Sequence, residues 1–493
     1  MEEGKIVFGN GALWAIALYL VSMIGVGYYA RIKRKGNTMA DFYLAGRSLG
    51  MAVLFLTLYA TQYSGNTLFG YTGKSYLIGF EWTVSVLFMF SIIVGYMLFA
   101  PRLVLLARSE DFITPGDYIT FRFKSRVLTV ISTLLMIYAL CNYTLAQLKA
   151  MGAAVEGITD GSIPSAYGII ALAIIMVIYE TLGGMRSVAW TDVLQGVVLL
   201  VGFSIIFVLV PQLGGGFSEV VERIHQIDPD KLTVPTLAGT NKWLSYVVLL
   251  GCGAAIYPQA IQRLYASRSV EVLKRSLSWM AFMPLTTTLI AMVCGLTAIV
   301  ILPEIKEVRS DQVLARLLAL IMAGSDLGYW LVVAVFAAAL AALMSTADSA
   351  LLSISSMFTR DIYLPYFRPD SSESHLTWVG KVFSWIMVAV LVYVAIVTDK
   401  TLVRLLELKF EILIQVVPSF FFGLYWKRLR SRTAIMGLIT GLIVALVLWW
   451  QGYNTVWGFH AGVIGLFVNC SICVVATLFS STNFVKVGDT NRA

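Results

Sequence analysis

"YATQYSGNTLFGYTGKSYLIGF", Tyr59 to Phe80, gathers the hydroxyls of Thr61, Ser64 and Thr67, the amides of Gln62 and Asn66, and the glycines Gly65, Gly70, Gly73 and Gly79 into one membrane-length stretch of an otherwise oily chain. No face of a continuous helix hides all of these groups from lipid. Non-helical backbone survives at membrane depth only where it is buried in protein or lines a watery cavity, and the carbonyls freed there become ligands for a cation. The stretch therefore predicts a discontinuous helix at a binding site. Taken alone it leaves one alternative open, a kinked helix bound to its neighbours by polar groups.

The rest of the chain is membrane protein. Of 493 residues, 58% are hydrophobic and 13% charged, against about 25% charged in soluble domains, and the mean hydropathy is +0.81. Apolar runs of roughly 18 residues or more, each able to cross a hydrocarbon core about 30 Å thick, recur from end to end. They predict an all-α polytopic protein with about thirteen spans, near residues 8–30, 49–75, 80–107, 127–156, 164–182, 189–212, 241–260, 275–302, 328–358, 377–398, 402–426, 433–451 and 458–481. No room is left for a separate soluble domain. The acidic start "MEEGKIVFGNG" reads as the approach to a retained first helix and not as a basic signal-peptide region.

The net charge of +8 resides in short connections between apolar runs, so its partner is the anionic surface of the lipid bilayer and not nucleic acid. "RIKRKG", the 101–126 loop, "RLYASRSVEVLKR" and "WKRLRSR" fall on one side by alternation, whereas "EGITDG" and "QGYNTVWG" on the other carry no basic residue. The positive-inside rule then places the N-terminus outside and the C-terminus in the cytoplasm of a cell (inner or plasma) membrane. Two outer connections are long, 213–240 and 303–327, and the second contains the amphipathic "DQVLARLLALIMAG".

Several polar groups lie within the predicted spans. In "LLGCGAAIYPQAIQR", Gly251 and Gly253 precede Pro258 and mark a second break, five spans after the first. That offset is the one an inverted repeat of five helices produces. The ninth span ends "AAALAALMSTADSALLSISS", where Ser345, Asp348 and Ser349 stand at i, i+3 and i+4 with Thr346 beside them. Hydroxyls and a carboxylate suit a hard cation, while small residues at this spacing also serve helix packing. A carboxylate near the bilayer centre costs about 2.5–3.5 kcal/mol and is a functional hypothesis by default. Asp192, in the first turns of the sixth span, fits either ion binding or the helix dipole. Glu407, Lys409 and Glu411 in the eleventh span, with Lys149, are candidates for outer gating or for recognising a charged solute, the alternative being side chains that snorkel to the outer interface.

Other chemistry is thin. His225, His375 and His460 are isolated, and the five cysteines (Cys141, Cys252, Cys294, Cys470, Cys473) sit in apolar runs without a CxxC pair. No phosphate-binding loop or dinucleotide fingerprint occurs, and no histidine accompanies the serine-rich helix as a hydrolase base. The sequence reads as a non-enzyme, with no cofactor and no obligatory protein partner.

The motifs resemble those of the sodium:solute symporters, especially the proline and pantothenate permeases, over essentially the whole chain. "DFYLAGRSLG", "YETLGGMRSVAWTDVLQ", "AALMSTADSALL" and "GLYWKRLRSRTAIMGLITG" are similar, in order, to the segment before the family's first broken helix, its central signature, its sodium-site helix and its second signature. Glu180 and Thr433 depart from the two signatures, and Gln62 stands where the proline permeases carry an aspartate.

The resemblance implies a LeuT-like 5+5 inverted repeat in which the first helix of each repeat is discontinuous. One domain would span 1–493, with a leading helix and loop (8–48), a first repeat (49–212), a second repeat (241–426) and two trailing helices (433–481). It further implies a sodium site of the backbone oxygens of Ala60, Tyr63 and Ala342 with the hydroxyls of Ser345 and Thr346. In some relatives a second sodium site involves the positions of Asp192, Asp348 and Ser349, all of which offer an oxygen here. The solute of this family lies between the broken helices, which makes Gln62, Ser64, Tyr257, Gln259 and Glu411 wall candidates. The expectation is a sodium-coupled symporter importing a small organic solute of amino acid, pantothenate or monocarboxylate type. Its rivals are a proton-coupled carrier of the same fold, a sodium-coupled sugar or neutral-solute transporter, and a non-transporting membrane receptor.

Overall fold

A computed structural model describes residues 7–34, 36–233, 235–302, 310, 312–398 and 409–479. Its helices are α1 (Asn10–Ile32), α2 (Met39–Leu44), α3 (Met51–Gln62), α4 (Tyr71–Ile78), α5 (Val84–Ser109), α6 (Pro115–Phe123), α7 (Arg126–Ile158), α8 (Ser165–Gly183), α9 (Met185–Leu213) and α10 (Phe217–Ile227). They continue as α11 (Leu237–Ala255), α12 (Pro258–Ala266), α13 (Val270–Met280), α14 (Leu289–Ile301), α15 (Val313–Gly324) and α16 (Asp326–Met357). The last four are α17 (Glu373–Val397), α18 (Val417–Tyr425), α19 (Ser431–Trp450) and α20 (Ala461–Phe479). Among the described residues the one sheet is a hairpin, Thr455–Val456 against Phe459–His460.

Among the described residues, ten helices are long and apolar enough to cross a membrane, or eleven if the bent pair α11 and α12 forms one span. The protein is thus a multi-pass membrane protein, with a smaller count than the thirteen expected. The difference arises where helices break. With 12 residues, α3 is about 18 Å long at 1.5 Å per residue, too short to cross alone. The helical stretch Thr67–Ser109 joins the end of the second expected span to the whole of the third; it is turned at Gly79, whose φ of +65° favours glycine and whose Cβ position lies against the Lys231 carbonyl. The beginning of the eleventh expected span, with Glu407, lies outside the described residues.

Both expected breaks are present. At the first, Tyr63 adopts extended torsions (φ −103°, ψ 99°) and a π-helical turn, Asn66–Gly70, follows before α4. At the second, α11 runs unbroken through Gly251 and Gly253 to Ala255, and the chain bends by 51° before Pro258 opens α12. The glycines do not break the helix as expected. They let neighbours approach: a Cβ on Gly251 would sit 2.3 Å from Ser91 Oγ and one on Gly253 3.3 Å from the Phe410 ring.

The centre of the molecule is α16, buried at every position from Ala338 to Met357. Its small residues allow α3, α7, α8, α9, α12 and α17 to pack around it. The connections sort into two ends. Arg47 pairs with Asp111 at 2.8 Å, Arg186 with Asp41 at 2.9 Å, Arg122 Nε donates to the Gly423 carbonyl at 2.6 Å, and Leu49 and Arg268 are joined by backbone. The basic loops thus converge on one end. At the other, Phe8 N donates to Ile158 O, Lys231 Nζ to Tyr76 O, and Asn241 Nδ2 to Trp457 O. The amphipathic segment of the second long connection forms α15, which buries Val313, Leu314, Leu317, Leu318 and Ile321 against its neighbours.

Candidate functional site: two oxygen clusters on the central helix

The polar stripe of α16 divides between two neighbours. Its upper pair faces the first broken helix: Ser345 Oγ donates to the Ala60 carbonyl at 3.0 Å, and Ser345 and Thr346 also reach their own helix at Ala342 O, at 3.3 and 2.9 Å. The break makes this possible, because Ala60 sits in the last turn of α3, where carbonyls have no further helical amides to accept from. Tyr63 lies at the break itself, and its extended torsions turn its carbonyl away from the helical ladder. Four of the five expected sodium ligands are therefore in one cluster, and the fifth is one turn away on the same strand of backbone. Gly65 sets the approach, since a Cβ there would stand 2.4 Å from Leu343 Cδ2 of α16.

The lower pair faces a different group. Asp348 accepts from the Tyr179 hydroxyl at 2.5 Å and from Ser349 Oγ at 3.1 Å. Asp192 accepts from Thr57 and from Arg263 Nη2, the latter at 2.8 Å, while Arg263 Nη2 also donates to Ser349 Oγ. Arg263 Nε donates to Thr57 Oγ1 at 2.8 Å and Nη1 to the Gln259 carbonyl at 3.1 Å. The structure brings Asp192, Asp348 and Ser349 together, but with a guanidinium among them. One helical position away, Gln262 exchanges hydrogen bonds at 2.5 Å with Ser353 and Ser356, so α12 is laced to the whole polar edge of α16.

Arg263 corrects the sequence reading. "RLYASRSVEVLKR" counts it among the loop charges, yet it belongs to α12 and is fully buried. The bend at Ile256–Tyr257 is the cause: the helix resumes after it and carries Arg263 inward to Asp192. An arginine within five residues of a predicted intramembrane break is the signal that could have found it.

Between the two breaks lies a narrow cavity, with about 40 Å³ of open space, enough for a few waters. Gln62, Ser64 and Tyr257 line it, as expected, together with Tyr143, Lys409 and Phe410. The Tyr143 and Tyr257 rings stack at 5.6 Å with 6° between their planes, and the Tyr143 hydroxyl lies beside the hydroxyls of Ser64 and Thr346. Tyr143 thus touches both the cavity wall and the oxygen cluster. Two expected wall residues are not among those lining it. Glu411 lies two residues past Lys409, about 200° around a helix, and its backbone packs on Gly462 of α20. Gln259 is fully buried in the first turn of α12, with neither side-chain atom hydrogen-bonded among the described residues.

Among the described residues no group of three or more His, Cys, Asp or Glu side chains is placed to hold a metal. What the site offers is neutral oxygens from two helices beside a cavity, the arrangement of an ion-coupled carrier and not of a hydrolytic centre.

Comparison with known proteins gives the same class. The chain belongs to the sodium:solute symporter family, whose model matches residues 42–441. It is 27% identical over 473 residues to a sodium/glucose cotransporter of Vibrio parahaemolyticus, covering 88% of this chain and 84% of that one. It is 28% identical over 472 residues to a sodium/proline symporter of Escherichia coli K12, covering 92% of each. A solved structure of a Na+-coupled sialic acid symporter in a substrate-bound outward-open state matches with a TM-score of 0.82 at 20% identity, covering 96% of this chain and 98% of that one; this likeness is one of fold. Membership makes the protein a sodium-coupled transporter of small solutes, and not an enzyme.

Proposed function

We propose that the protein is a secondary active symporter of a cell membrane that imports one small organic solute with one sodium ion by alternating access. The observation that carries this reading is the 3.0 Å contact from Ser345 Oγ to the Ala60 carbonyl, which joins the broken helix to the central helix through groups that a hard cation prefers. The ion would be held by the carbonyls of Ala60, Tyr63 and Ala342 and the hydroxyls of Ser345 and Thr346, each hydroxyl turning its lone pairs inward on binding. Sodium would then tie α3 to α16 and fix the wall formed by Gln62 and Ser64, so that ion and solute reinforce each other.

A single ion follows from Arg263. A cation at Asp192 and Ser349 would have to displace a guanidinium that already donates to both, so we assign Asp192, Asp348 and Ser349 to holding α12 and not to a second sodium. The orientation we favour has the basic end in the cytoplasm, the N-terminus outside and the C-terminus inside. Thirteen passes, with five-helix repeats beginning at 49 and 241, agree with both breaks and with that orientation. A tenfold sodium gradient supplies about 1.4 kcal/mol per ion, and with a neutral solute the cation crossing about 100 mV would add roughly 2.3.

The proton-coupled rival would use Asp348 or Asp192. Replacing sodium by choline at fixed pH, with thermal unfolding of the purified protein as readout, separates them. Sodium alone should raise the midpoint, and a midpoint that follows pH but ignores sodium would overturn the sodium reading.

A further inference from the structure

We propose that the solute is a small monocarboxylate anion whose carboxylate pairs with the ammonium of Lys409, an inference that rests on reading the space between the breaks as the solute site. Lys409 is only 3% exposed. Its Nζ lies 3.3 Å from the centroid of the Tyr143 ring, 4.7 Å from that of Phe410 and 5.5 Å from that of Tyr257. Among the described residues it has no carboxylate within ion-pairing distance. Attraction to aromatic faces offsets only part of the cost of taking an ammonium out of water, and burial of a charge is otherwise met by an opposite charge. A carboxylate carried by the cargo would supply that charge.

The remaining wall narrows the class. No Asp or Glu is among the residues lining the cavity, so the ammonium of a zwitterionic amino acid would meet a like charge and no counter-ion. A neutral sugar would leave Lys409 unpaired. A monoanion satisfies the site: its carboxylate reaches Lys409, and the Tyr257 hydroxyl, buried without a hydrogen-bond partner, is a second donor beside it. The apolar faces of Phe88, Ile92 and Leu250 suit a short hydrocarbon body on the other end.

The test uses the purified full chain, with thermal unfolding followed at constant ionic strength in sodium or in choline, and with butyrate, butyramide, proline and glucose as probes. Butyrate should raise the midpoint in sodium, and butyramide, its neutral isostere, should not. Lys409→Gln should weaken the response to butyrate about tenfold or more while keeping the shift that sodium produces alone. Lys409→Arg should keep the preference for butyrate over butyramide. Stabilisation by proline or glucose without butyrate, equal responses to butyrate and butyramide, or wild-type affinity for butyrate in Lys409→Gln would each overturn the proposal. Failure of the sodium reading looks different: butyrate would act equally in sodium and choline, and the butyrate-to-butyramide contrast would still decide the solute.

Discussion

Arg263 Nη2 lies 2.8 Å from Asp192 Oδ2, and neither side chain is exposed. The cation beside the lower half of the central helix is thus supplied by the protein itself. Asp192→Asn should remove the direct ion pair of Arg263 and leave Asp348, held by Tyr179 and Ser349, as the remaining carboxylate of the cluster, a loss of about 1.5–3 kcal/mol, read as a drop in the thermal midpoint and in yield. Sodium activation of the wild-type protein should be hyperbolic, since a Hill coefficient cannot exceed the number of sites. A stable Asp192→Asn protein together with a sigmoidal sodium curve would speak for a second ion in that place.

One sodium and one monoanion carry no net charge between them. Sodium-22 influx into proteoliposomes should therefore rise with butyrate and change little when a potassium diffusion potential of about 100 mV is imposed. A neutral solute moved with one sodium would gain roughly fiftyfold in accumulation from that potential. A strongly voltage-dependent butyrate-stimulated influx would contradict the pairing.

Tyr143 touches the two halves of the site at once, with its hydroxyl beside Ser64 and Thr346 and its ring under Lys409. Tyr143→Phe keeps the ring and removes the link. Sodium and butyrate should each still bind, but the gain in butyrate affinity that sodium confers should fall about fivefold, a coupling loss of roughly 1 kcal/mol. Butyrate titrations with and without sodium measure it directly, and an unchanged ratio would show that the hydroxyl carries no coupling.

Much of this architecture is legible in the sequence because the membrane makes polarity conspicuous. Ser64 and Gln62 between apolar runs, and Ser345 and Thr346 on an otherwise alanine-rich helix, have no purpose facing lipid, so their positions alone point inward. Arg263 is not legible in that way. A hydropathy window averages it with the loop charges that follow, and only the 51° bend reveals that its stretch of chain turns back into the protein. Lys409 stands out as an intramembrane charge, but the Tyr143 and Tyr257 rings around it come from α7 and from the bend between α11 and α12, distant in sequence. Glu411 shares its helix and not its direction, a distinction that depends on where α20 packs.

The two ends of the molecule can be assigned by labelling. Cysteines introduced one at a time at Lys427 and Trp457, both exposed and at opposite ends, should react differently in intact cells. An impermeant maleimide should modify position 457 from outside and reach position 427 only after permeabilisation; the reverse pattern would invert the orientation.

Equilibrium binding of sodium-22 to the purified full chain tests whether sodium is held between the broken helix and α16, without knowledge of the solute. The wild-type protein should bind about one ion per chain, matching one site, and Ser345→Ala combined with Thr346→Ala should abolish that binding while the protein remains folded. Unchanged sodium binding in the double variant would place the ion elsewhere.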